Sequence, residues 1–228
     1  MNHVFIGYDP RQAISYTTLH YSIVKNSSEP VAITPLIIEQ LPMKRTGLTP
    51  FTYSRFIVPH LCGFRGLALF LDADMLMLGD VSELFRLGDG AVAVSKNKLR
   101  FEWASVMLFD CGHRDNGVLT PEFIDATDRN LHKIEWTDSV GGLPPEWNHL
   151  VGYDPPRADP KLIHYTQGVP AWPETEDCEH TEIWRQYVKE ATDAKSWVEI
   201  MGRSVHAAPV VERLKASGKI DQMPWTVA

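Results

Sequence analysis

The sequence is short of cysteines, of long apolar runs and of basic residues. Its 228 residues include three cysteines, Cys62, Cys111 and Cys178, an odd number without a Cys-x-x-Cys pair. This pattern disfavours both a disulfide framework and a structural zinc site. We therefore expect reduced thiols in a cytosolic protein.

Two further absences narrow the class of protein. No run of about 18 apolar residues occurs, and the N-terminus lacks the basic start and apolar stretch of a signal peptide. The net charge of -7 argues against a general nucleic-acid binder. With 44% hydrophobic and 22% charged residues, the composition is ordinary for a globular protein. The sequence therefore predicts a cytoplasmic enzyme with no transmembrane segment and no nucleic-acid partner.

The stretch from Leu67 to Leu78 is apolar except for Asp72 and Asp74. Such a run predicts a strand buried on both faces. Two neighbouring buried carboxylates repel, so they need a cation, and Mg²⁺ or Mn²⁺ prefers oxygen ligands. In an extended segment both carboxylates can converge while Ala73 turns aside. An ordinary turn after a strand remains the alternative.

The N-terminal residues predict a βαβ unit. It comprises a strand over 3–7, a helix over 11–25 and a strand over 31–38. Ligands of open α/β sheets bind outside the carboxyl ends of the strands, so Gly7, Tyr8 and Asp9 lie where a nucleotide could bind. Asp9 can equally be an N-cap, with Pro10 at the first position of the helix.

The remaining periodicity predicts an α/β fold with a mixed sheet flanked by helices. The helices are expected over 53–62, with an interruption near Pro59, and over 80–87, 121–129, 182–191 and 197–215, with a break or a restart at Pro209. The strands are expected over 91–94, 105–109 and 161–165. Residues 131–160 lack periodicity and predict a functional loop, in which Trp147 is a packing residue. We expect one domain over 1–228, with the helices of about 176–228 as an appendage.

Five stretches of the chain, in the same order, resemble glycosyltransferase family 8, whose members have the GT-A fold and transfer sugars from nucleotide donors. These stretches are Gly7-Tyr8-Asp9, Tyr53-Ser54-Arg55, Leu71-Asp-Ala-Asp74, Leu143-Pro-Pro-Glu-Trp-Asn148, and His164 with Gly168 and Trp172. They span residues 4–172 and leave the C-terminal helices uncovered. The pattern looks most like a small, divergent bacterial-type member.

The resemblance implies a role for each matching residue. Asp72, Asp74 and His164 would be ligands of Mn²⁺, or of Mg²⁺. The implied donor-binding residues are Gly7, Tyr8, Asp9, Arg55, Ala73 and Gly168, and the implied catalytic residues are Asp72, Asp74, Arg55 and Asn148. The expected donor is UDP-glucose or UDP-galactose, the expected reaction transfers a hexose with retention, and the acceptor is a carbohydrate, a lipid-linked molecule or a protein.

The chain departs from the family in two stretches. Family members carry Lys-Pro-Trp after the metal-binding histidine, where this chain has Pro170-Ala171-Trp172. Another cation, such as Arg11 or Lys96, must then meet the diphosphate charge. The family's Asn-Ala-Gly-Val strand is replaced by Trp103-Ala-Ser-Val106, and no Asp-Gln-Asp motif precedes Leu143. The acceptor is therefore not predicted.

Two other functions stay open at this point. A non-catalytic module that binds a nucleotide sugar and a metal would fit the missing diphosphate lysine. A nucleotidyltransferase would also place paired aspartates after a strand, but it usually has a glycine-rich basic loop after the first strand, which residues 8–12 do not supply. Asp138 and Glu146 lie in the irregular region, and neither is assigned a catalytic role.

Overall fold

The computed structural model describes residues 1–193 and 197–219. Contacts within the chain divide it into two compact units, residues 1–191 and 192–228. The predicted appendage over about 176–228 includes residues 194–196 and 220–228, which lie outside the described residues. One domain with an appendage stays a prediction.

The secondary structure of the described chain alternates strands with short helices. The strands are β1 (Asn2–Gly7), β2 (Val31–Leu36), β3 (Leu67–Leu71), β4 (Met75–Met77), β5 (Val92–Ser95), β6 (Val106–Asp110), β7 (Val140–Leu143), β8 (His149–Leu150) and β9 (Leu162–His164). The helices are α1 (Ala13–Asn26), α2 (Phe51–Ser54), α3 (Val58–Leu61), α4 (Val81–Leu84), α5 (Pro121–Ala126), α6 (Thr181–Thr192), α7 (Trp197–Met201) and α8 (Ala207–Ala216).

The main sheet has the strand order β2-β1-β3-β6-β5-β7. Strand β1 runs parallel to β2 and β3, and β6 runs antiparallel to both β3 and β5. The predicted mixed α/β sheet is therefore confirmed. A smaller sheet has the order β4-β9-β8.

Strand β3 lies at the centre of the main sheet because its side chains are apolar on both faces. Residues 68–71 are completely buried, as are Leu19 and Ile23 of α1 and Phe56 and Ile57 before α3, and all belong to one hydrophobic core. Since β1 and β3 run parallel, their carboxyl ends meet at one edge of the sheet. Gly7 and Asp72 therefore begin the loops at the same edge.

The stretch 67–78 is two strands, and the prediction of one continuous buried strand is wrong. Strand β3 belongs to the main sheet and β4 to the smaller sheet. The amide of Asp72 still donates to the carbonyl of Ser105 at 3.1 Å, whereas the carbonyl of Asp74 accepts from the amide of Tyr165 at 2.9 Å. The triplet 72–74 therefore joins two sheets, which local hydrophobicity does not reveal.

Other elements differ from the prediction for identifiable reasons. Strands β7 and β8 lie inside the region expected to be a loop, since β7 contains two glycines and β8 has only two residues. The last helix restarts as predicted: Pro209 lies in the first turn of α8, where its missing amide hydrogen leaves no bond unmade. The break falls at residues 202–206.

No described helix is both long enough and apolar enough to cross a membrane. The cysteines Cys62, Cys111 and Cys178 are free thiols.

His132 is a buried ring from which a pH-dependent stability is expected. It stacks on Phe101, with ring centroids 4.9 Å apart, and meets Phe56 edge-on at 5.2 Å. Burial, together with the positive charges of Arg55 and Arg45, lowers the pKa of His132 to about 4. The neutral ring is therefore the form that the folded protein prefers.

His132 should make the protein less stable in mild acid. The unfolded chain takes up this proton near about pH 6.5. The preference of the fold for neutral His132 therefore contributes fully to the free energy of unfolding above that pH. This contribution is lost as the pH falls towards 4. The loss is at most about 3 kcal/mol. Urea denaturation gives the free energy of unfolding at pH 7 and at pH 4.5. Between these two pH values it should fall less for His132→Phe than for the wild type, and an equal fall would contradict this explanation.

Candidate active site

The side chains of Asp72, Asp74 and His164 meet where the main sheet gives way to the smaller one. Each offers a ligand atom, and these atoms lie within 4.8 Å of one another. His164 Nε2 is 3.5 Å from Asp74 Oδ1. His164 reaches this position because it pairs with Met75, the residue that follows Asp74, in the β4–β9 ladder. The structure therefore brings together the three residues predicted to be metal ligands.

Arg55 lies directly behind Asp72 and is almost fully buried. Its Nη2 is 2.9 Å from Asp72 Oδ1, and its Nη1 donates to Asp72 Oδ2 at 3.3 Å and to the carbonyl of Ala104 at 2.8 Å. The side chain is 7% exposed. The resemblance predicts a contact of Arg55 with the donor sugar; in the structure the guanidinium anchors a carboxylate, and the donor contact stays a prediction.

The cluster carries more negative charge than its surroundings compensate. Burial raises the pKa of Asp72 to about 7 although Arg55 opposes the shift, and the charge of Asp74 adds to the rise. Burial lowers the pKa of His164, but the carboxylates of Asp74 and Asp72 outweigh this effect and leave it raised. The raised pKa of His164 reflects the carboxylates around its ring, whereas the raised pKa of Asp72 reflects mainly its burial.

The donor atoms of this cluster fit a divalent cation. Oδ1 of Asp74 is buried and accepts no hydrogen bond, whereas Oδ1 of Asp72, also buried, faces Arg55 Nη2 at 2.9 Å. Together with His164 Nε2 they form a set of two oxygens and one nitrogen, which Mn²⁺ accepts and which leaves positions free for other oxygen ligands. A cation bound here would satisfy the Asp74 oxygen and add to the positive charge that Arg55 already presents to Asp72.

Asn148 fixes the ring of His164. Its amide nitrogen donates to Ser105 Oγ at 3.0 Å and to the carbonyl of Glu102 at 3.3 Å. Because that carbonyl can only accept, Asn148 Oδ1 must face His164 Nδ1, which lies at 3.1 Å. Nδ1 therefore carries a hydrogen, which leaves Nε2, 3.5 Å from Asp74 Oδ1, as the ring nitrogen that can bind a metal ion. The predicted contact of Asn148 with donor or acceptor stays a prediction.

Glu102 is a carboxylate near the site that the sequence analysis missed. Its Oε2 lies 4.0 Å from His164 Nδ1. It belongs to the 3₁₀ helix over Arg100–Ser105, which precedes β6. The segment that holds Glu102 comes close to Asp72 because β6 pairs with β3. The sequence alone does not reveal that pairing.

Asp9 caps the short 3₁₀ helix that follows β1. Its carboxylate accepts from the amide of Arg11 at 3.0 Å and forms an ion pair with Arg11 Nη2 at 2.6 Å. The N-cap interpretation of Asp9 is confirmed, and Arg11 is thereby engaged. Tyr8 packs edge-on against Tyr16, with centroids 5.4 Å apart. A nucleoside contact of Tyr8 and Asp9 stays a prediction.

Gly7 lies against the ring of Phe51. A Cβ atom at this position would be 2.4 Å from Phe51 Cγ, which is far inside contact distance. The close approach lets α2 pack onto the end of β1. Packing therefore requires glycine here, whether or not a nucleoside also lies nearby.

Gly7→Ala should destabilise the fold by about 1–3 kcal/mol, the usual range for overpacking a filled core. Gly142→Ala is the matched control, since it also lies in a strand but a Cβ atom there meets nothing within 4 Å. Urea denaturation of both variants checks this. A Gly7→Ala protein as stable as Gly142→Ala, but with weaker nucleotide binding, would show instead that Gly7 acts on the ligand.

The remaining predicted residues lie around the end of β9 and in the triplet. Gly168 has a φ of +112° and donates to the carbonyl of Tyr165 at 2.8 Å, which closes the turn after β9. Ala73 is completely buried. Lys96 is exposed, and its Nζ donates to the carbonyl of Val140 at 2.8 Å. Donor contacts of Gly168 and Ala73 stay predictions.

The family of the chain follows from its similarity to one curated protein. No protein-family model matches the chain. Protein CDI of Arabidopsis thaliana is 35% identical over 237 aligned residues, which cover 84% of this chain and 91% of that protein. The chain belongs to the family of Protein CDI.

Solved structures place this CDI-family chain among glycosyltransferase folds. The glycosyltransferase GlyE of Streptococcus pneumoniae serotype 4 is 22% identical over 67% of the chain and 45% of GlyE. A crystal structure of GlyE gives a TM-score of 0.61 at 18% identity, over 82% of this chain and 61% of that one. The galactosyltransferase LgtC, solved with donor and acceptor sugar analogues, gives 0.59 at 12% identity, over 86% of this chain and 99% of that one.

These likenesses confirm the predicted GT-A fold and the resemblance to a divergent glycosyltransferase at the level of the fold. The chain spans less than half the length of GlyE.

Proposed function

We propose that this CDI-family chain is a metal-dependent glycosyltransferase that moves a hexose from a UDP-sugar, UDP-glucose or UDP-galactose, to an acceptor. One observation carries the proposal: Asp72, Asp74 and His164 converge at the carboxyl end of β3, where open α/β sheets bind their ligands. The GT-A fold, shared with GlyE and LgtC, supports it. The acceptor class is a carbohydrate, a lipid-linked molecule or a protein.

The three residues would hold Mn²⁺ or Mg²⁺. When bound, such an ion supplies Lewis-acid stabilisation of charge on the departing diphosphate. The chain's own residues organise the ligands. Arg55 fixes the carboxylate of Asp72 from behind, and Asn148 holds His164 in the tautomer whose Nε2 can act as a ligand. Both supports are buried, so water does not compete for these bonds.

Lys96 is the better candidate for the cation that meets the diphosphate. The sequence analysis names Arg11 and Lys96 as candidates. Arg11 is bonded through several nitrogen atoms to Asp9. Lys96 is exposed and bonds one main-chain carbonyl, a neutral partner that a phosphate can replace. Retention at the anomeric carbon is proposed from the family resemblance.

A second function is favoured by the missing diphosphate lysine and the engaged Arg11. With Pro170 and Ala171 in place of the family's Lys-Pro, the chain could bind a nucleotide sugar and a metal without transferring the sugar. Such a non-catalytic module would share the donor site and the metal requirement. Only turnover separates the two functions.

A thermal-shift screen of nucleotide sugars tests the proposal. The full chain, freed of metals with EDTA, is measured with UDP-glucose, UDP-galactose and GDP-sugars, each with and without Mn²⁺. A UDP-sugar should raise the Tm only when Mn²⁺ is present. At a hundredfold excess over Kd, the free energy of unfolding should rise by about 3 kcal/mol. UDP release with the same donors then separates transferase from module. No shift with any donor, or equal shifts without metal, would contradict the proposal.

A further inference from the structure

A second cluster of potential ligands lies beside the first but uses the neighbouring residues. Asn148 ends the 3₁₀ helix over Pro145–Trp147 as its C-cap, and His149 is the first residue of β8. Asn148 contacts His164, whereas His149 contacts Glu179 in the segment before α6. The backbone that positions the first cluster therefore presents His149 to a different part of the molecule.

The three side chains of His149, Glu179 and His180 are spaced as ligands of one ion. His149 Nε2 is 3.3 Å from Glu179 Oε2, and His180 Nε2 is 3.0 Å from Glu179 Oε1. Donor atoms about 2.0–2.2 Å from a tetrahedral Zn²⁺ lie about 3.3 Å apart. The observed separations match this spacing, and the ligand atoms all lie within 4.8 Å of one another.

His149 is buried, whereas the side chains of Glu179 and His180 are partly exposed. The His149 side chain is 1% exposed. Nε2 of His180 is buried and forms no hydrogen bond of acceptable geometry, although Glu179 lies next to it. A buried nitrogen without a hydrogen bond is unfavourable unless it binds something else. The nitrogen is directed to the same carboxylate that His149 contacts.

The surroundings fix the main chain at His180 and place a carboxylate near the ring of His149. The Tyr165 hydroxyl donates to the carbonyl of His180 at 3.0 Å. On the other side, Asp154 Oδ2 lies 4.0 Å from His149 Nδ1 and is itself fixed by the amide of Leu150 at 2.9 Å. At 4.0 Å this carboxylate is too distant for a hydrogen bond to the ring, but it lies on the side of Nδ1 where metal-binding histidines usually have an outer partner.

We propose that His149, Glu179 and His180 bind a divalent transition metal, Zn²⁺ by their chemistry, at a site separate from Asp72, Asp74 and His164. Two imidazoles and one carboxylate form a zinc-type ligand set, whereas the first cluster, with two carboxylates, suits Mn²⁺ or Mg²⁺. The ion ties the segment before α6 to β8. The cysteine pattern predicts no structural zinc site, and this site uses none of the cysteines.

Zinc binding to the full chain tests this inference. The protein is dialysed against EDTA and titrated with Zn²⁺, and with Co²⁺ for its visible absorption, in an Asp74→Asn background that disables the first cluster. We expect one ion per chain, tetrahedral Co²⁺ bands and a Tm that rises with Zn²⁺. Glu179→Gln and His180→Asn should each weaken binding at least tenfold. Glu176→Gln, at an exposed position three residues away, is the matched control.

Equal zinc affinity in Glu179→Gln and Glu176→Gln would overturn the inference, as would no stoichiometric binding in either. If His180→Asn fails to fold, Glu179→Gln decides alone, because this side chain is 27% exposed and the amide keeps its size. None of these measurements depends on sugar transfer. The zinc site and the proposed transferase activity can therefore fail separately.

Discussion

Asp74→Asn should lower metal-dependent turnover of the UDP-sugar by at least about a hundredfold. Loss of an outer partner of a metal ligand already costs about 10–100-fold, and Asp74 is proposed to be a ligand itself. The fold should survive, because Asp74 is partly exposed and its replacement removes a repulsive charge beside Asp72. UDP release at saturating Mn²⁺ and the Tm without metal measure the two effects.

Glu182→Gln is the control for Asp74→Asn, since it removes a carboxylate that is 91% exposed and should leave turnover unchanged. Turnover by Asp74→Asn at the wild-type rate would remove this cluster from the reaction. A lower Tm without metal would show that Asp74 acts mainly in folding.

Arg55→Met should destabilise the protein by about 3–5 kcal/mol, because it leaves the buried carboxylate of Asp72 without its positive partner. The two side chains are 7% and 10% exposed. Urea denaturation at pH 9, where Asp72 of the wild type is ionised, measures the loss. Arg65→Met, at an exposed position, controls for the removal of an arginine and should change stability little.

The double variant Arg55→Met, Asp72→Asn identifies the cause of that loss. If the unpaired charge is responsible, Asp72→Asn should recover most of the stability that Arg55→Met loses, since a neutral amide is cheaper to bury than a carboxylate. A stable Arg55→Met with weaker donor binding would instead support the predicted contact between Arg55 and the donor sugar.

The sequence predicts β1, α1 and β2 well because the signals there are local. The apolar residues of β1 and β2, the helical spacing of α1 and the cap at Asp9 lie within a few residues of the features they determine. The same holds for the caps at Asp80 and Thr120, which accept from Ser82 and Phe123. The convergence of Asp72 and Asp74 also follows from one short stretch.

The features that sequence analysis missed depend on distant contacts. The change of sheet at residues 72–74 is set by hydrogen bonds with Ser105 and Tyr165. Arg55 finds Asp72 seventeen positions away, and His149 finds Glu179 thirty positions away. Strand β7 is not predicted because two of its four residues are glycines. Gly141 is nevertheless required there, since a Cβ atom would lie 2.2 Å from the carbonyl oxygen of Asp89. The spacing of apolar residues along the sequence does not predict contacts between residues that are far apart in the chain.

Calorimetric titration of UDP into the full chain tests the central claim that Asp72, Asp74 and His164 hold a divalent cation for the donor diphosphate. We expect UDP to bind wild-type protein with one site per chain in Mn²⁺, to bind at least tenfold more weakly in EDTA, and to show no gain from Mn²⁺ in Asp74→Asn. UDP affinity that is the same with Mn²⁺, with EDTA and in Asp74→Asn would contradict the claim.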